Sequence, residues 1–323
     1  MTGQKLIAVV GATGSQGGGL ARAILAEPDR GLTVRALTRN TQSGSAQELA
    51  RAGAEVVEAD LDDEKSMRRA FDGAHGAYVV TNYWVDRTPE QEAERTRGEM
   101  ELAQAEIAAR AARDADVAHV IWSTLEDTRD FFGDDERVPN AEGQYKVPHF
   151  DAKAEADELF VKYGVPTTFL RTAFYFNNIA DGLGLARDAG GQLTLTLPMA
   201  DQLLSGIAVD DIGKAALGIF KRDAALIGKT VSIAGDHLTG DQYAAALTEV
   251  LGEEVAYRPL DWDLYRALGF PGAVEMGNMF QFYAENSQRF VGDRDLHRVR
   301  ELNPQLQSFR DWLGAHVNEI AVP

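Results

Sequence analysis

A doubly wound α/β fold, with a mostly parallel sheet covered by helices on both faces, is predicted by three observations. An apolar run, Leu6 to Val10, leads into Gly11, Gly14 and Gly17 at three-residue spacing and then into an alanine- and leucine-rich helix. Short β-branched runs alternate with helical segments through the first half of the chain, as right-handed crossovers between parallel strands require. The length, 323 residues of which 45% are hydrophobic, suits one large α/β unit or two coupled domains.

The elements follow in order. Leu6 to Val10 has the aliphatic, β-branched character of a buried parallel strand. By analogy with the glycine fingerprint of dinucleotide-binding folds, Gly11 permits the tight turn out of the strand. Gly14 then lets backbone approach a pyrophosphate, and Gly17 lets the helix pack on the sheet. The helix start offers unpaired N–H groups and roughly half a positive charge, which favours an anion. Leu32 to Leu37 reads as a second strand, and Ser45 with Glu48 as a capping box for a helix stopped near Gly53. Ala54 to Glu58 is a third strand, Asp63 to Phe71 a helix and Ala77 to Val80 a fourth strand. Thr88, Pro89 and Gln91 open a long helix to about Arg113, and Val117 to Trp122 is a fifth strand.

From Ser123 to Pro148 the pattern lapses into a long loop on the carboxyl side of the sheet, either a lid or a surface insertion. A helix from Asp151 to Tyr163, stopped by Gly164 and Pro166, and a sixth strand, Thr167 to Arg171, complete the regular part. Beyond Thr172 the pieces are shorter: strand Leu193 to Leu197, helix Asp210 to Lys221 and strand Thr230 to Ala234. Helices Asp241 to Leu251, Asp261 to Leu268 and Ser308 to Val317 follow. The division this predicts is a Rossmann-type domain over 1–172, containing the long loop 123–148. A smaller, mixed α/β but mostly helical substrate-side lobe over 173–323 completes it, with chain crossing back to the sheet.

Composition excludes several functions. The absence of cysteine removes disulfides, thiolate zinc sites and a cysteine nucleophile. His75, His119, His149, His237, His297 and His316 show no metal-ligand spacing, so no metal site is expected. With 50 acidic against 32 basic residues and a net charge of −18, the chain lacks the basic stripe that nucleic acid or an anionic membrane needs. No apolar run approaches the roughly 18 residues of a membrane span, and the first apolar stretch lacks a cleavage pattern, so the expected location is cytoplasmic.

The expected cofactor is NADP(H). In NAD-selective folds an acidic residue at the end of the second strand binds the adenosine ribose, whereas here Arg39 stands in the sequence Leu37-Thr38-Arg39-Asn40. A charge-assisted contact to a 2′-phosphate, about 1.5 to 3 kcal/mol, favours NADP by roughly ten- to a hundredfold. Asp60 follows the third strand on the adenine side, and Thr81, Asn82 and Tyr83 fall at the carboxyl edge of the fourth.

The GxxGxxG spacing is typical of extended and atypical short-chain dehydrogenases, and further segments resemble the NmrA-like family within that group, in particular its HSCARG-like redox-sensor branch. They are GATGSQGG at Gly11 to Gly18, VTNYW at Val80 to Trp84, HFDAK at His149 to Lys153 and YFNN at Tyr175 to Asn178. QYAAALT at Gln242 to Thr248, LGFPGA at Leu268 to Ala273 and MFQFYA at Met279 to Ala284 extend the resemblance over essentially the whole chain. It implies that Gly11, Thr13, Gly14, Ser15, Gln16 and Gly17 surround the pyrophosphate. Arg39 would hold the 2′-phosphate, and Asp60 with Leu61 the adenine side. Thr81 to Tyr83, Lys153, and Phe174, Tyr175, Phe176 and Asn177 would complete the nicotinamide side. Two positions depart from relatives: Ser43 replaces a second basic residue, and Phe174 replaces a cysteine.

Catalytic short-chain dehydrogenases place a tyrosine four residues before the lysine on one helix face. His149 occupies that position here, so Lys153 keeps a role toward ribose while the usual phenol proton donor is missing. His149 is a candidate general acid or a helix-start residue bonded to its neighbours, and Ser123, just after the fifth strand, a candidate catalytic hydroxyl or a backbone cap. Two functions stay open. One is an NADP(H)-binding redox-sensing regulator, in which occupancy controls a protein-binding face. The other is an NADPH-dependent reductase of a small carbonyl, imine or quinone. The partners expected are thus a protein or a small substrate, for a monomer or homodimer.

Overall fold

Strands β1 (Lys5–Val9), β2 (Leu32–Thr38), β3 (Glu55–Glu58), β4 (Gly76–Val79), β5 (His119–Thr124), β6 (Thr167–Arg171) and β7 (Thr230–Ser232) form one sheet. Its order is β7-β6-β5-β4-β1-β2-β3. The pairings from β6 across to β3 are all parallel. This computed structural model describes residues 4–27 and 31–323. Contacts group the chain into a first unit of Met1–Asp127, His149–Arg171 and Ile212–Val231, and a second of Thr128–Pro148, Thr172–Asp211 and Ser232–Pro323.

In the first unit the strand order reverses between β1 and β4. Such a switch point opens a crevice at the carboxyl ends of the strands, where ligands bind in doubly wound sheets. β4 and β5 are buried along their whole length, which is why they read as continuous apolar runs. The helices are α1 (Ser15–Leu25), α2 (Gly44–Ala52), α3 (Glu64–Phe71), α4 (Pro89–Glu94), α5 (Arg97–Asp114), α6 (Pro148–Lys162) and α7 (Val209–Lys221). Ala105, Ala108, Ala109 and Ala112 of α5 share a core with Trp122 and Phe160, whose rings stack at 5.1 Å. Side chains this small let α5 lie close to the sheet, so any larger or polar group on that face is forced into the interior.

Several strand boundaries shift by one or two residues, β5 running on to Thr124 so that Ser123 lies within it and not after it, and three differences among the helices have a local cause. The helix predicted from Thr88 to Arg113 is two, because Thr96 and Glu99 form a second capping box that starts α5 afresh after the Thr88–Gln91 box has started α4. Ser43, not Ser45, caps α2, its Oγ accepting from the Ala46 amide at 3.3 Å. α6 begins at Pro148 instead of Asp151, since proline fits a first turn, and this places His149 inside the helix.

The second unit contains two three-stranded sheets, one of Asp236–Leu238, Leu204–Ile207 and Phe174–Tyr175 and one of Val255–Tyr257, Leu193–Leu195 and Leu185–Arg187. These strands are two to four residues long, too short to carry a period of their own. Most of the segment expected as an open loop lies in this unit, where it holds a helical turn, Arg129–Phe132, and a bridge between Glu142 and Tyr145. Asn278 ties it down, donating to the Pro139 and Lys146 carbonyls at 2.8 and 2.6 Å, and Arg137 pairs with Glu285 at 2.9 Å. Among the described residues no helix is long and apolar enough to cross a membrane.

Candidate dinucleotide site

The glycine loop connects β1 to α1 at the switch point. Gly11 sits at φ +64°, where a side chain is strained, and a Cβ on Gly17 would lie 2.5 Å from the Val10 carbonyl oxygen. The first turn of α1 therefore approaches the end of β1 more closely than any other residue allows. Gly14 caps this helix without a side-chain hydrogen bond, and no acidic residue occupies its first turn. Gly11, Gly14 and Ser15 are exposed, so the positive end of α1 is bare. Gln16 turns inward: its Oε1 accepts from the Tyr78 hydroxyl at 2.5 Å and from Ser123 Oγ at 2.8 Å.

Arg39 follows β2, is exposed, and makes no hydrogen bond or ion pair among the described residues. Its neighbours are committed to the turn, Thr38 Oγ1 accepting from the Asn40 amide at 3.2 Å and Asn40 Oδ1 from the Gln42 amide at 2.9 Å. After β3, Asp60 Oδ1 accepts from the Asp62 amide at 3.0 Å, and Leu61 packs partly against the core.

After β4 the chain alternates, Thr81 and Tyr83 buried, Asn82 and Trp84 exposed. Lys153 of α6 donates to Thr81 Oγ1 at 2.5 Å and to the Thr81 carbonyl at 3.1 Å, and pairs with Glu101 Oε2 of α5 at 2.6 Å. Thr81 Oγ1 in turn donates to the same Glu101 oxygen at 2.7 Å. His149, one turn before Lys153, is buried among the rings of Tyr83, Trp84 and Phe150, at 5.8, 5.3 and 4.8 Å between centroids. One turn after Lys153, Asp157 Oδ1 accepts from Trp122 Nε1 at 2.9 Å. Burial pushes the Asp157 carboxyl up to about 7, against the Thr124 hydroxyl, the Arg171 guanidinium and the Trp122 indole N–H, which favour its charged form.

The glycine loop, Gln16, Ser123, Thr81, Tyr83, His149 and Lys153 thus gather at the carboxyl ends of β1, β4 and β5. Phe174, Tyr175, Phe176 and Asn177 belong to the second unit. There Phe174 is buried, with its ring 6.0 Å from that of Phe280, and Phe176 packs on Phe309 at 5.1 Å. Tyr175 is half-buried, and Asn177 Oδ1 accepts from the Val209 amide at 3.3 Å. Glu101 went unread in the sequence, although a charged residue in line with Ala105, Ala108 and Ala112 on an apolar helix face was a signal for it. Among the described residues no group of three His, Cys, Asp or Glu could hold a metal ion.

A doubly wound parallel sheet with a glycine loop at its switch point is a Rossmann-type α/β fold, the class that holds dinucleotides at this crevice. The chain belongs to the NmrA-like family, which it matches over residues 3–313. It is 28% identical over 305 residues to the NmrA-like family domain-containing oxidoreductase FrzB of a Cladobotryum species, covering 88% of this chain and 85% of that protein. It is similar in fold to NmrA, a negative transcriptional regulator, in complex with NADP, at a TM-score of 0.75 and 23% identity over 96% of this chain and 94% of that one. The Citrobacter triphenylmethane reductase complexed with NADP(H) is also similar, at 0.70 and 18% identity over 96% of this chain and 98% of that one.

Proposed function

We propose that the chain binds NADP(H) on its first unit and acts as a redox-sensing regulator, with occupancy of the site as its signal. Gly11, Thr13, Gly14, Ser15 and Gly17 at the bare start of α1 would hold the pyrophosphate, and Arg39 the 2′-phosphate. Asp60, Leu61, Asn82 and Tyr83 would line the remainder. The fit rests on the exposed loop, the cradle that a Cβ at Gly17 would fill, and an arginine with no internal partner.

The observation that carries the regulatory reading is that all three candidate catalytic side chains already serve internal partners. Ser123 donates to Gln16, His149 sits in an aromatic cage, and three acceptors surround the three N–H groups of Lys153. None of these three is left presented as a proton donor in the way a carbonyl reduction needs.

The oxidoreductase name of FrzB favours a second reading, reduction of a small acceptor by NADPH. With the proton donors so engaged, the acceptor would be one that takes hydride without prior protonation, such as an iminium or a quinone. Two measurements decide. Turnover of NADPH with any member of a carbonyl, imine and quinone panel, at a rate proportional to the protein added, would overturn regulation as the sole function. Titration of both cofactors tests the site: Arg39→Ala is expected to weaken NADPH by roughly ten- to a hundredfold and NADH little, whereas equal losses would sink the 2′-phosphate assignment.

A further inference from the structure

The turn after β4 has alternate carbonyls held by side-chain cations. Lys153 Nζ takes the Thr81 carbonyl at 3.1 Å, while Arg97 Nη1 takes those of Tyr83 at 2.5 Å and Val85 at 3.0 Å. Each cation pairs with an acid: Glu101 lies 2.6 Å from Lys153, and Glu92, which Arg87 also contacts at 3.0 Å, lies 2.6 Å from Arg97 Nη2. Arg97 and Glu101 are one turn apart on α5, so a single helix supplies a member of each pair. The turn also closes on itself, with Asn82 Oδ1 accepting from the Trp84 amide at 3.1 Å.

Glu101 is the costly part of this arrangement. It is 0% exposed, and its Oε1 has no hydrogen-bond partner among the described residues. A buried ion pair often adds less stability than apolar residues of the same volume would, so stability does not account for it. What it does account for is the place of Lys153. Without a carboxylate opposite it, the Lys153 ammonium would lose its anchor and be free to turn outward, and the Thr81 carbonyl would lose its donor.

We propose that Glu101 and Lys153 act together as positioning residues. They fix the Thr81–Trp84 turn, whose Asn82 and Trp84 side chains are exposed, and Lys153 serves as its strut. His149 and Asp157 stand one turn to either side of Lys153 on α6, and Arg97 one turn before Glu101 on α5. This inference rests on the dinucleotide reading of the site, but its first test does not.

In the ligand-free protein, acrylamide quenching of Trp84, isolated by difference from Trp84→Phe, is expected to rise in Glu101→Gln and in Lys153→Met as the turn loosens. In NADPH titrations at a temperature where each variant is fully folded, both substitutions are expected to weaken binding by a similar factor, roughly five- to tenfold. The double variant should be no worse than the worse single one, as for residues acting as a unit. A pair serving stability alone would leave this affinity unmoved. If Glu101→Gln binds NADPH as tightly as the unsubstituted protein, or more tightly, while Lys153→Met loses affinity, Lys153 is a ligand that Glu101 restrains and the strut is wrong. Should the unsubstituted protein bind no NADPH, the cofactor reading fails by itself, and unchanged quenching in both variants would then overturn the strut separately.

Discussion

At the scale of single residues, the site was legible where side chains had to be small or charged in a fixed sequence context. Gly11 and Gly17 were readable because no other residue fits a positive φ or a 2.5 Å approach to a carbonyl oxygen. The commitments of Gln16, Glu101 and Asp157 were not, since each depends on partners distant in the chain: Ser123 for Gln16, Lys153 for Glu101 and Trp122 for Asp157. Asp157 has a measurable consequence. Its folded value, about 7, lies above the usual carboxylate value near 4, so between these pH values the folded protein keeps a proton that the unfolded chain has released. Stability from this group is therefore present below about pH 4 and is lost as pH rises to about 7, by an amount on the order of a few kcal/mol. Asp157→Asn keeps an acceptor for Trp122 and removes the titration. Urea unfolding is expected to give matching stabilities near pH 3.5 and a more stable variant at pH 8. Parallel curves over that range would show that the carboxyl titrates normally.

At the scale of elements, the strands of the seven-stranded sheet carried their own signal, and β6 was read to the residue. The strands of the second unit were mostly missed because tertiary pairing, not local pattern, makes them: Leu204–Ile207 lies between one parallel and one antiparallel partner. The break between α4 and α5 was written in the sequence as Thr96-x-x-Glu99, yet it was overridden by the helical composition on either side. That cap positions the turn of α5 from which Arg97 and Glu101 reach the β4 turn. Thr96→Ala removes the side-chain acceptor of the Glu99 amide, now 3.2 Å away, and is expected to cost about 1 kcal/mol in denaturant unfolding. It should also weaken NADPH binding, because the first turn of α5 frays where the two residues are anchored. A stability loss of that size with unchanged affinity would mean that packing against the sheet alone fixes them.

At the scale of the whole molecule, composition dictates a behaviour that no local contact reveals. The chain carries a net charge of −18, yet its candidate ligand is itself a multiply charged anion. Two opposing terms follow. Arg39 and the start of α1 attract over a few ångströms, a range that salt screens little. The surrounding carboxylates repel over distances beyond the Debye length, which shrinks from about 30 Å at 0.01 M salt to about 8 Å at 0.15 M. Raising salt over that interval removes the repulsion first. NADPH is therefore expected to bind more tightly at 0.15 M than at 0.01 M salt, the reverse of an anion captured by a basic protein through counterion release. Arg39→Ala should show a steeper gain with salt, because only the repulsive term is left to screen. Affinity that falls with salt in the unsubstituted protein, and loses this dependence in Arg39→Ala, would show instead that the local cation outweighs the field of the whole chain.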